Sequence, residues 1–149
     1  MEAIIFIGIQ ATGKSTFYHR NYSDTHLRIN LDMLRTRHRE RTLLHTCLQI
    51  KQPFVIDNTN PDRHQRREYI EPARAAGFRI IGYYFRSIIG ESLQRNETRT
   101  GNQRIPVAGI RGTSARLELP SLQEGFDELF YVYIDQSGQF IIQEWQDEV

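Results

Sequence analysis

Eight residues near the start of the chain are suited to binding phosphate. Residues 8–15 read Gly-Ile-Gln-Ala-Thr-Gly-Lys-Ser, which matches the P-loop pattern G-x-x-x-x-G-K-[ST]. The apolar run at residues 3–7 stands directly before them, so a strand and a loop follow each other in the order that a phosphate-binding loop requires. We therefore predict that the loop and the first turn after it bind a nucleotide. The residues concerned are Gly8, Ala11, Thr12, Gly13, Lys14, Ser15 and Thr16.

The residue types in this segment suit triphosphate chemistry. Gly8 and Gly13 allow backbone conformations that a Cβ would obstruct, so successive N–H groups can turn towards phosphate oxygens. Lys14 supplies a cation for the β- and γ-phosphates, and the hydroxyl of Ser15 is an oxygen ligand of the kind that Mg²⁺ prefers. The chain has seventeen arginines and two lysines, and one lysine stands where a compact ammonium fits better than a planar guanidinium. We expect ATP and Mg²⁺ as ligands, with Lys14 acting in catalysis.

The distribution of apolar residues predicts an α/β fold. Apolar runs alternate with amphipathic stretches, which is typical of a parallel sheet covered by helices on both faces. With the P-loop, this predicts a three-layer α/β/α sandwich of the P-loop NTPase type with a parallel sheet, in one domain over residues 1–149. The expected strands are 3–7, 26–30, 53–57, 78–85 and 129–134, the expected helices lie near 14–21, 32–50, 61–76, 88–100 and 114–118, and a short strand is expected near 139–142. We expect a helical lid over residues 87–118.

Asp32 and Arg35 follow the second predicted strand, at the sheet edge where ligands of open parallel sheets bind. On a helix that begins at Asp32, the two side chains lie on one face, so a carboxylate and a guanidinium share the same space. A general base beside an anion-binding group would be arranged in this way. Asp is also a favoured N-cap residue, so the alternative is a helix cap at Asp32 with Arg35 facing solvent.

Asp57 ends the third predicted strand and precedes a polar turn and Pro61. In a P-loop fold, an acid at this position can reach the metal or a nearby arginine from the side opposite the loop. Residues 57–60 can also form a turn that caps the helix starting near Pro61. The two interpretations are compatible, and the sequence leaves both open.

Three arginines could bring positive charge over the nucleotide from the predicted lid. Arg95 and Arg99 are four residues apart on a predicted helix, and Arg104 lies in the loop that follows. An arginine that meets the transferring phosphoryl group contributes roughly 10³- to 10⁵-fold in rate. The alternative is a solvent-facing helix on which Glu91 pairs with Arg95, a contact that contributes about 0.3–0.5 kcal/mol.

Taken together and in order, these segments resemble the kinase domain of polynucleotide 5′-hydroxyl kinases. The resemblance is carried by the P-loop, residues 28–32 with Arg35, residues 55–61, Arg95-Asn96 with Arg99, and residues 119–120 with 124–126, and it spans roughly residues 3–135. It implies that Asp32 is the general base towards a 5′-hydroxyl and that Arg35 binds a phosphate of the acceptor strand. It also implies that Asp57 helps to hold the active-site arginine, which would be Arg99. By this resemblance the substrates are ATP and the 5′-hydroxyl end of a nucleic acid.

Composition limits the other possibilities. The net charge of +1 argues against a general polyanion-binding coat, so any nucleic-acid binding must come from a local arginine surface. Cys47 is the only cysteine and lies among leucines, which favours a buried thiol in a reducing compartment, and we expect a cytoplasmic protein. No apolar stretch approaches the length of a membrane span. The sequence shows no D-x-D acid pair of a phosphatase, so we expect a stand-alone kinase.

Three alternative functions can be compared with this prediction. Related P-loop domains phosphorylate sugars, nucleosides or antibiotics with the same lysine, serine and aspartate, so a small hydroxylated acceptor stays open. An ATP-binding or ATPase module that transfers nothing would keep Lys14 and Ser15 but would have no use for Asp32 with Arg35. A regulatory GTPase would need the guanine-reading N-K-x-D pattern, which the sequence lacks.

Overall fold

A six-stranded sheet forms the centre of the protein. The computed structural model describes residues 1–146. The strands are β1 (Glu2–Ile7), β2 (Leu27–Ile29), β3 (Phe54–Ile56), β4 (Arg79–Phe85), β5 (Glu128–Ile134) and β6 (Phe140–Glu144), and their order across the sheet is β2-β3-β1-β4-β5-β6. β1 to β5 pair in parallel, as predicted. β6 pairs with β5 in the antiparallel sense, because a short turn joins them and only antiparallel strands can be joined so tightly.

Residues 1–146 contain six α-helices. They are α1 (Lys14–Asn21), α2 (Leu31–Leu34), α3 (Arg37–Ile50), α4 (Arg63–Ala75), α5 (Ile89–Glu97) and α6 (Val107–Arg116), with short 3₁₀ turns at Gly101–Gln103 and Leu122–Glu124. No helix in residues 1–146 is long and apolar enough to cross a membrane.

Two apolar clusters lie on opposite faces of the sheet, because successive side chains of a strand point to opposite sides. In β1, Ala3, Ile5 and Ile7 pack into a cluster with residues of α3 and α4, including Cys47. The intervening Ile4 and Phe6 pack into a second cluster with residues of α1. Helices therefore cover both faces, and the predicted three-layer α/β/α architecture is confirmed. Cys47 is buried as expected.

The helix predicted at 32–50 is two helices. Arg35 has a φ of 76°, a left-handed conformation that ends α2 after one turn. The Thr36 hydroxyl then accepts a hydrogen bond from the Arg39 N–H at 3.2 Å and caps α3. The prediction of one continuous helix was wrong, because the amphipathic pattern continues across a break that contains neither Gly nor Pro.

The last predicted helix was too short. We predicted a helix near 114–118, but α6 begins at Val107, directly after Pro106. Gly109 and Gly112 disfavour a helix by local propensity. Burial of Ile110 and Thr113 against the rest of the protein offsets that cost.

Candidate nucleotide-binding site

The P-loop leaves the carboxyl end of β1 and passes close to β4. Gly8 begins the loop, and its N–H donates to the Thr59 carbonyl at 3.0 Å. A Cβ on Gly8 would lie 3.0 Å from the Phe85 carbonyl oxygen, so only glycine fits here without displacing backbone. Gly13 ends the loop with a φ of 95°, a conformation that favours glycine. The two glycines therefore fix the path of the loop at its ends.

The loop leads directly into α1, and its last glycine is the N-cap residue. No side chain among the described residues caps the N–H groups of the first turn of α1. Such N–H groups, together with the positive end of the helix dipole, favour binding of an anion. Ser15 and Thr16 lie exposed in that turn.

Lys14 is folded back onto the loop. Its Nζ donates to the carbonyl oxygens of Gly8 at 2.9 Å and of Ile9 at 2.6 Å. Burial lowers the pKa of Lys14 from its usual 10.5 to about 8, against the opposing effect of the Asp57 carboxylate; Arg99 lowers the pKa further and Asp32 raises it. The ammonium of Lys14 is thus buried without full charge compensation, and this favours binding of a phosphate group.

Asp57 lies directly after β3, is 2% exposed, and accepts hydrogen bonds from two side chains. The Ser15 hydroxyl donates to Asp57 Oδ2 at 3.1 Å, and Arg28 Nε donates to the same oxygen at 2.8 Å. Arg28 Nη2 also donates to Ser15 Oγ at 2.9 Å, so the three side chains form a closed triangle. The Ser15 hydroxyl and the Asp57 carboxylate are oxygen donors of the kind that Mg²⁺ prefers, so these residues fit a metal-nucleotide complex.

This triangle differs from the arrangement that the family resemblance implied. Asp57 was expected to hold Arg99, but its carboxylate contacts Arg28 instead. The pairing register explains why. Arg28 lies opposite Val55 on the neighbouring parallel strand, and Val55 and Asp57 point to the same face because they are two residues apart.

A short helix presents Asp32 to the space in front of the P-loop. Asn30, and not Asp32, is the N-cap of α2: its Oδ1 accepts from the Met33 N–H at 2.9 Å. Asn58 accepts a further hydrogen bond from the Leu31 N–H at 2.8 Å. The two asparagines accept the N–H groups at the start of α2, so Asp32 is not the N-cap residue and the capping alternative for it is excluded. The Asp32 carboxylate is exposed.

Arg37, and not Arg35, lies beside the P-loop. Arg35 is exposed at the end of α2 and does not line the cavity beside the P-loop, whereas Arg37 does. Arg37 Nη1 donates to Glu40 Oε1 at 2.9 Å and to the Tyr69 hydroxyl at 3.1 Å. Asn58 Nδ2 donates to the other oxygen of Glu40 at 2.9 Å. Burial is the main cause that raises the pKa of Tyr69 to about 12, and the nearby Glu40 carboxylate raises it further, so the Tyr69 hydroxyl stays protonated across the physiological range.

The segment predicted as a lid contacts the P-loop through side chains of α5 and α6. Arg95 Nη1 donates to the Ala11 carbonyl at 3.3 Å, and Gln10 Nε2 donates to the Thr113 hydroxyl of α6 at 2.9 Å. Arg95 also lies 3.9 Å from Glu91, the ion pair that the sequence offered as the alternative. Arg99 lines the cavity, whereas Arg104 is exposed and does not. Of the three arginines, Arg99 is therefore the one that lines the cavity.

These elements enclose a cavity of about 430 Å³. Nine of the residues predicted from the sequence line it: Ala11, Thr12, Gly13, Lys14, Ser15, Thr16, Asp32, Asp57 and Arg99. Gly8, the first residue of the loop, does not line the cavity, but its carbonyl accepts a hydrogen bond from Lys14 Nζ. The P-loop, two oxygen donors of the kind that Mg²⁺ prefers and an exposed carboxylate therefore surround one space. That arrangement can place a triphosphate beside a hydroxyl acceptor.

Sequence reasoning did not single out four polar residues that hold this site. Arg28 and Asn58 stand inside segments that we noted for other reasons, and Arg37 and Glu40 looked like parts of an ordinary charged helix. The alternation of faces in β2 and β3 could have paired Arg28 with Asp57. No sequence signal could have found the Glu40 network, because its members lie on α3, α4 and the loop after β3.

The fold and the site define a P-loop nucleotide-binding domain of the kinase type. The family described as "AAA domain" matches residues 4–120. The chain belongs to this family.

Similar proteins agree with that class. The chain is 25% identical over 131 residues to the bifunctional polynucleotide phosphatase/kinase of Schizosaccharomyces pombe, a match that covers 84% of this chain and 32% of that protein. The chain thus spans about a third of the length of this curated relative. Kti12 of Chaetomium thermophilum, solved with ADP-AlF3, has the same fold, with a TM-score of 0.71 at 15% identity over 91% of this chain and 92% of that one. A gluconokinase from Sinorhizobium meliloti 1021 superposes with a TM-score of 0.62 at 18% identity, covering 88% and 81% of the two chains.

These findings support ATP binding and phosphoryl transfer of the P-loop kinase type. The two structural neighbours share the fold with this chain at identities too low to carry more than that. The curated relative and the family match support the kinase class itself. The identity of the acceptor is a separate question.

Proposed function

We propose that the protein transfers the γ-phosphoryl group of ATP to the 5′-hydroxyl end of a polynucleotide. The observation that carries the proposal is the placement of the Asp32 carboxylate, exposed, on the wall of the cavity that also holds Lys14 and Ser15. The relative from Schizosaccharomyces pombe, whose name includes a polynucleotide kinase, supports a polynucleotide as the acceptor.

In the proposed reaction, the residues of the chain hold the two substrates in line. Asp32 accepts a hydrogen bond from the acceptor hydroxyl, orients it towards the γ-phosphorus and takes up its proton. A bond forms between the acceptor oxygen and the γ-phosphorus, while the bond from that phosphorus to the β–γ bridging oxygen breaks and ADP leaves. Lys14 and Arg99 stabilise the negative charge on the phosphoryl oxygens as these bonds change.

Ser15 and Asp57 are the residues that would hold Mg²⁺ with the nucleotide. When bound, Mg²⁺ supplies positive charge to the β- and γ-phosphate oxygens. When the nucleotide binds, Lys14 Nζ exchanges the carbonyl oxygens of Gly8 and Ile9 for phosphate oxygens. The negative charge of the phosphates then stabilises the buried ammonium.

The first phosphate of the acceptor strand is proposed to bind at Arg37. Its guanidinium lines the same cavity as Asp32 and is oriented by Glu40 and Tyr69. A guanidinium held in this way can bind a phosphate with two parallel hydrogen bonds. Arg35, to which the resemblance gave this role, is exposed outside the cavity and could contact the strand further along.

A comparison of acceptors tests the proposal. ATP labelled in the γ-phosphate is incubated with 5′-hydroxyl RNA, with 5′-hydroxyl DNA, and with the same oligonucleotides already phosphorylated at the 5′ end as matched controls. Gluconate and a free nucleoside serve as small acceptors. We expect label on the 5′-hydroxyl oligonucleotides and none on the phosphorylated controls. Label on gluconate or the nucleoside alone would refute the polynucleotide and leave a small-molecule kinase, and release of free phosphate without any labelled acceptor would indicate an ATPase.

A further inference from the structure

Arg28 does not itself line the cavity, but it contacts the Asp57 and Ser15 oxygens that a metal-bound nucleotide would use. We propose that Arg28 is an exchangeable internal cation: it holds the metal-ligating oxygens in the nucleotide-free protein and gives them up when Mg²⁺-nucleotide binds. The inference rests on the proposed binding of Mg²⁺-nucleotide at Ser15 and Asp57. It adds that the protein controls access to this site with one of its own side chains.

The contacts of Arg28 are those of a substitute for a metal ion. Its Nε lies 2.8 Å from Asp57 Oδ2 and its Nη2 lies 2.9 Å from Ser15 Oγ, so one guanidinium bridges both oxygens. The Asp57 side chain is 2% exposed. A buried carboxylate without a cation is strongly disfavoured, and in the nucleotide-free protein Arg28 supplies that cation.

Arg28 and a metal ion cannot both keep these contacts. A cation bound to Ser15 and Asp57 would meet the guanidinium at close range, and like charges at such distances repel. Arg28 Nη2 also occupies a lone pair of Ser15 Oγ, and a metal ligand must turn a lone pair to the ion. Metal binding therefore requires the contacts of Arg28 to open, whereas the Ser15 hydroxyl can keep its hydrogen bond to Asp57.

The surroundings let Arg28 move without leaving its strand. Its side chain is 22% exposed, so its outer part already reaches solvent. The guanidinium carbon lies 5.9 Å from the centre of the Tyr18 ring, a cation–π distance that gives it a second partner on α1. Arg28 can thus release Asp57 by a side-chain rotation that keeps it beside Tyr18.

The test measures how much Mg²⁺ the protein needs to bind a fluorescent ADP analogue. Mg²⁺ is titrated from an EDTA-treated start in wild type, Arg28→Gln and Arg28→Lys. Arg79→Gln is the matched control. Arg79 forms an ion pair with Glu128 at 3.2 Å at the amino ends of β4 and β5, the sheet edge opposite the P-loop. Thermal unfolding with and without Mg²⁺-ADP is recorded for each variant, so that folding is checked on the same samples.

Removal of Arg28 should make the metal bind more easily. We expect the half-saturating Mg²⁺ concentration to fall about 10- to 100-fold in Arg28→Gln, which is the range that loss of a competing charge-assisted hydrogen bond predicts. Arg28→Lys should lie between wild type and Arg28→Gln, because an ammonium keeps the charge but cannot bridge both oxygens. Mg²⁺-ADP should also raise the melting temperature of Arg28→Gln more than that of wild type, because the unpaired Asp57 regains a cation.

The outcomes separate the two proposals. An unchanged or increased Mg²⁺ requirement in Arg28→Gln would overturn the exchange, and an increase would show that Arg28 binds the nucleotide itself. If wild type binds the ADP analogue equally well with and without Mg²⁺, the proposed metal site fails, and the exchange fails with it. If Arg28→Gln does not fold, Arg28→Lys decides, since a Mg²⁺ requirement equal to that of wild type would contradict the exchange.

Discussion

Replacement of Glu40 by glutamine should weaken the fold and shift the position of the Asp32 carboxylate. Glu40 is 2% exposed, and its two oxygens accept three hydrogen bonds, from Arg37, Tyr69 and Asn58. In Glu40→Gln one oxygen becomes an NH₂ group, which faces another donor in either orientation: Asn58 Nδ2 in one and Arg37 Nη1 in the other. Asn58 cannot turn its oxygen to meet it, because that oxygen accepts the N–H of Leu31 at the start of α2.

The magnitude follows from these contacts. One buried donor without a partner costs about 1–3 kcal/mol, and loss of the charge in the two remaining bonds adds about 1 kcal/mol. The contribution of Arg37 is the smaller part, since its side chain is 48% exposed and water screens the pair. We expect a loss of about 2–4 kcal/mol, which lowers the melting temperature by about 6–14 °C at this chain length.

Calorimetric unfolding and steady-state transfer rates measure both effects. Glu71→Gln is the matched control: Glu71 lies on α4 and forms an exposed ion pair with Arg67 at 2.6 Å, so the substitution should cost no more than about 0.5 kcal/mol. We also expect Glu40→Gln to slow transfer while ADP binding is kept, because Asn58 positions the helix that carries Asp32. A Glu40→Gln protein as stable as the Glu71→Gln control would refute the network as a structural support of the site.

Three further predictions concern the phosphate-binding loop and the lid. Burial lowers the pKa of Lys14 to about 8, and a bound phosphate favours its ammonium form, so ADP binding near pH 8.5 should take up a proton and weaken as the pH rises further. Calorimetry in buffers of different ionisation heat measures this proton uptake. Uptake that persists in Lys14→Met would contradict its assignment to Lys14. Gly13→Ala should cost about 1–3 kcal/mol and abolish ADP binding, because its φ of 95° is strained for alanine and its Cβ would lie 2.9 Å from Phe140; Gly77→Ala, with a φ of 84° and open space around it, isolates the strain in the same unfolding experiment. Arg99→Ala should reduce the transfer rate about 10³-fold with ADP affinity nearly unchanged, and a rate close to wild type would exclude Arg99 from the reaction.

The sequence predicted the parts of the site that local patterns encode. The P-loop could be recognised because its two glycines, its lysine and its serine all lie within eight consecutive residues. The apolar run at residues 3–7 marks the strand that positions the loop. The strands were readable for the same reason, since apolar runs of four to eight residues bounded by polar turns are typical of buried parallel strands. The cavity then followed from topology, because the carboxyl ends of these strands meet at one edge of the sheet.

The parts that depend on contacts between distant segments were missed or misassigned. The family resemblance implied that Asp57 holds Arg99, whereas the register of β2 and β3 places Arg28 in contact with Asp57. The break between α2 and α3 depends on a left-handed Arg35, and nothing in the local residue types forces that conformation. Thr36 was the available signal, since threonine is a favoured N-cap residue and marks the start of α3.

The central claim is that Asp32 activates an acceptor hydroxyl across the cavity from the P-loop. Single-turnover transfer of labelled γ-phosphate to a 5′-hydroxyl oligonucleotide, measured beside ADP affinity in wild type and Asp32→Asn, tests it most directly. The account predicts a loss of about 10²- to 10⁴-fold in the transfer rate with ADP affinity unchanged, because the amide keeps the shape of the side chain but cannot take up the proton. Transfer at the wild-type rate, or a loss that comes entirely from weaker ADP binding, would contradict it.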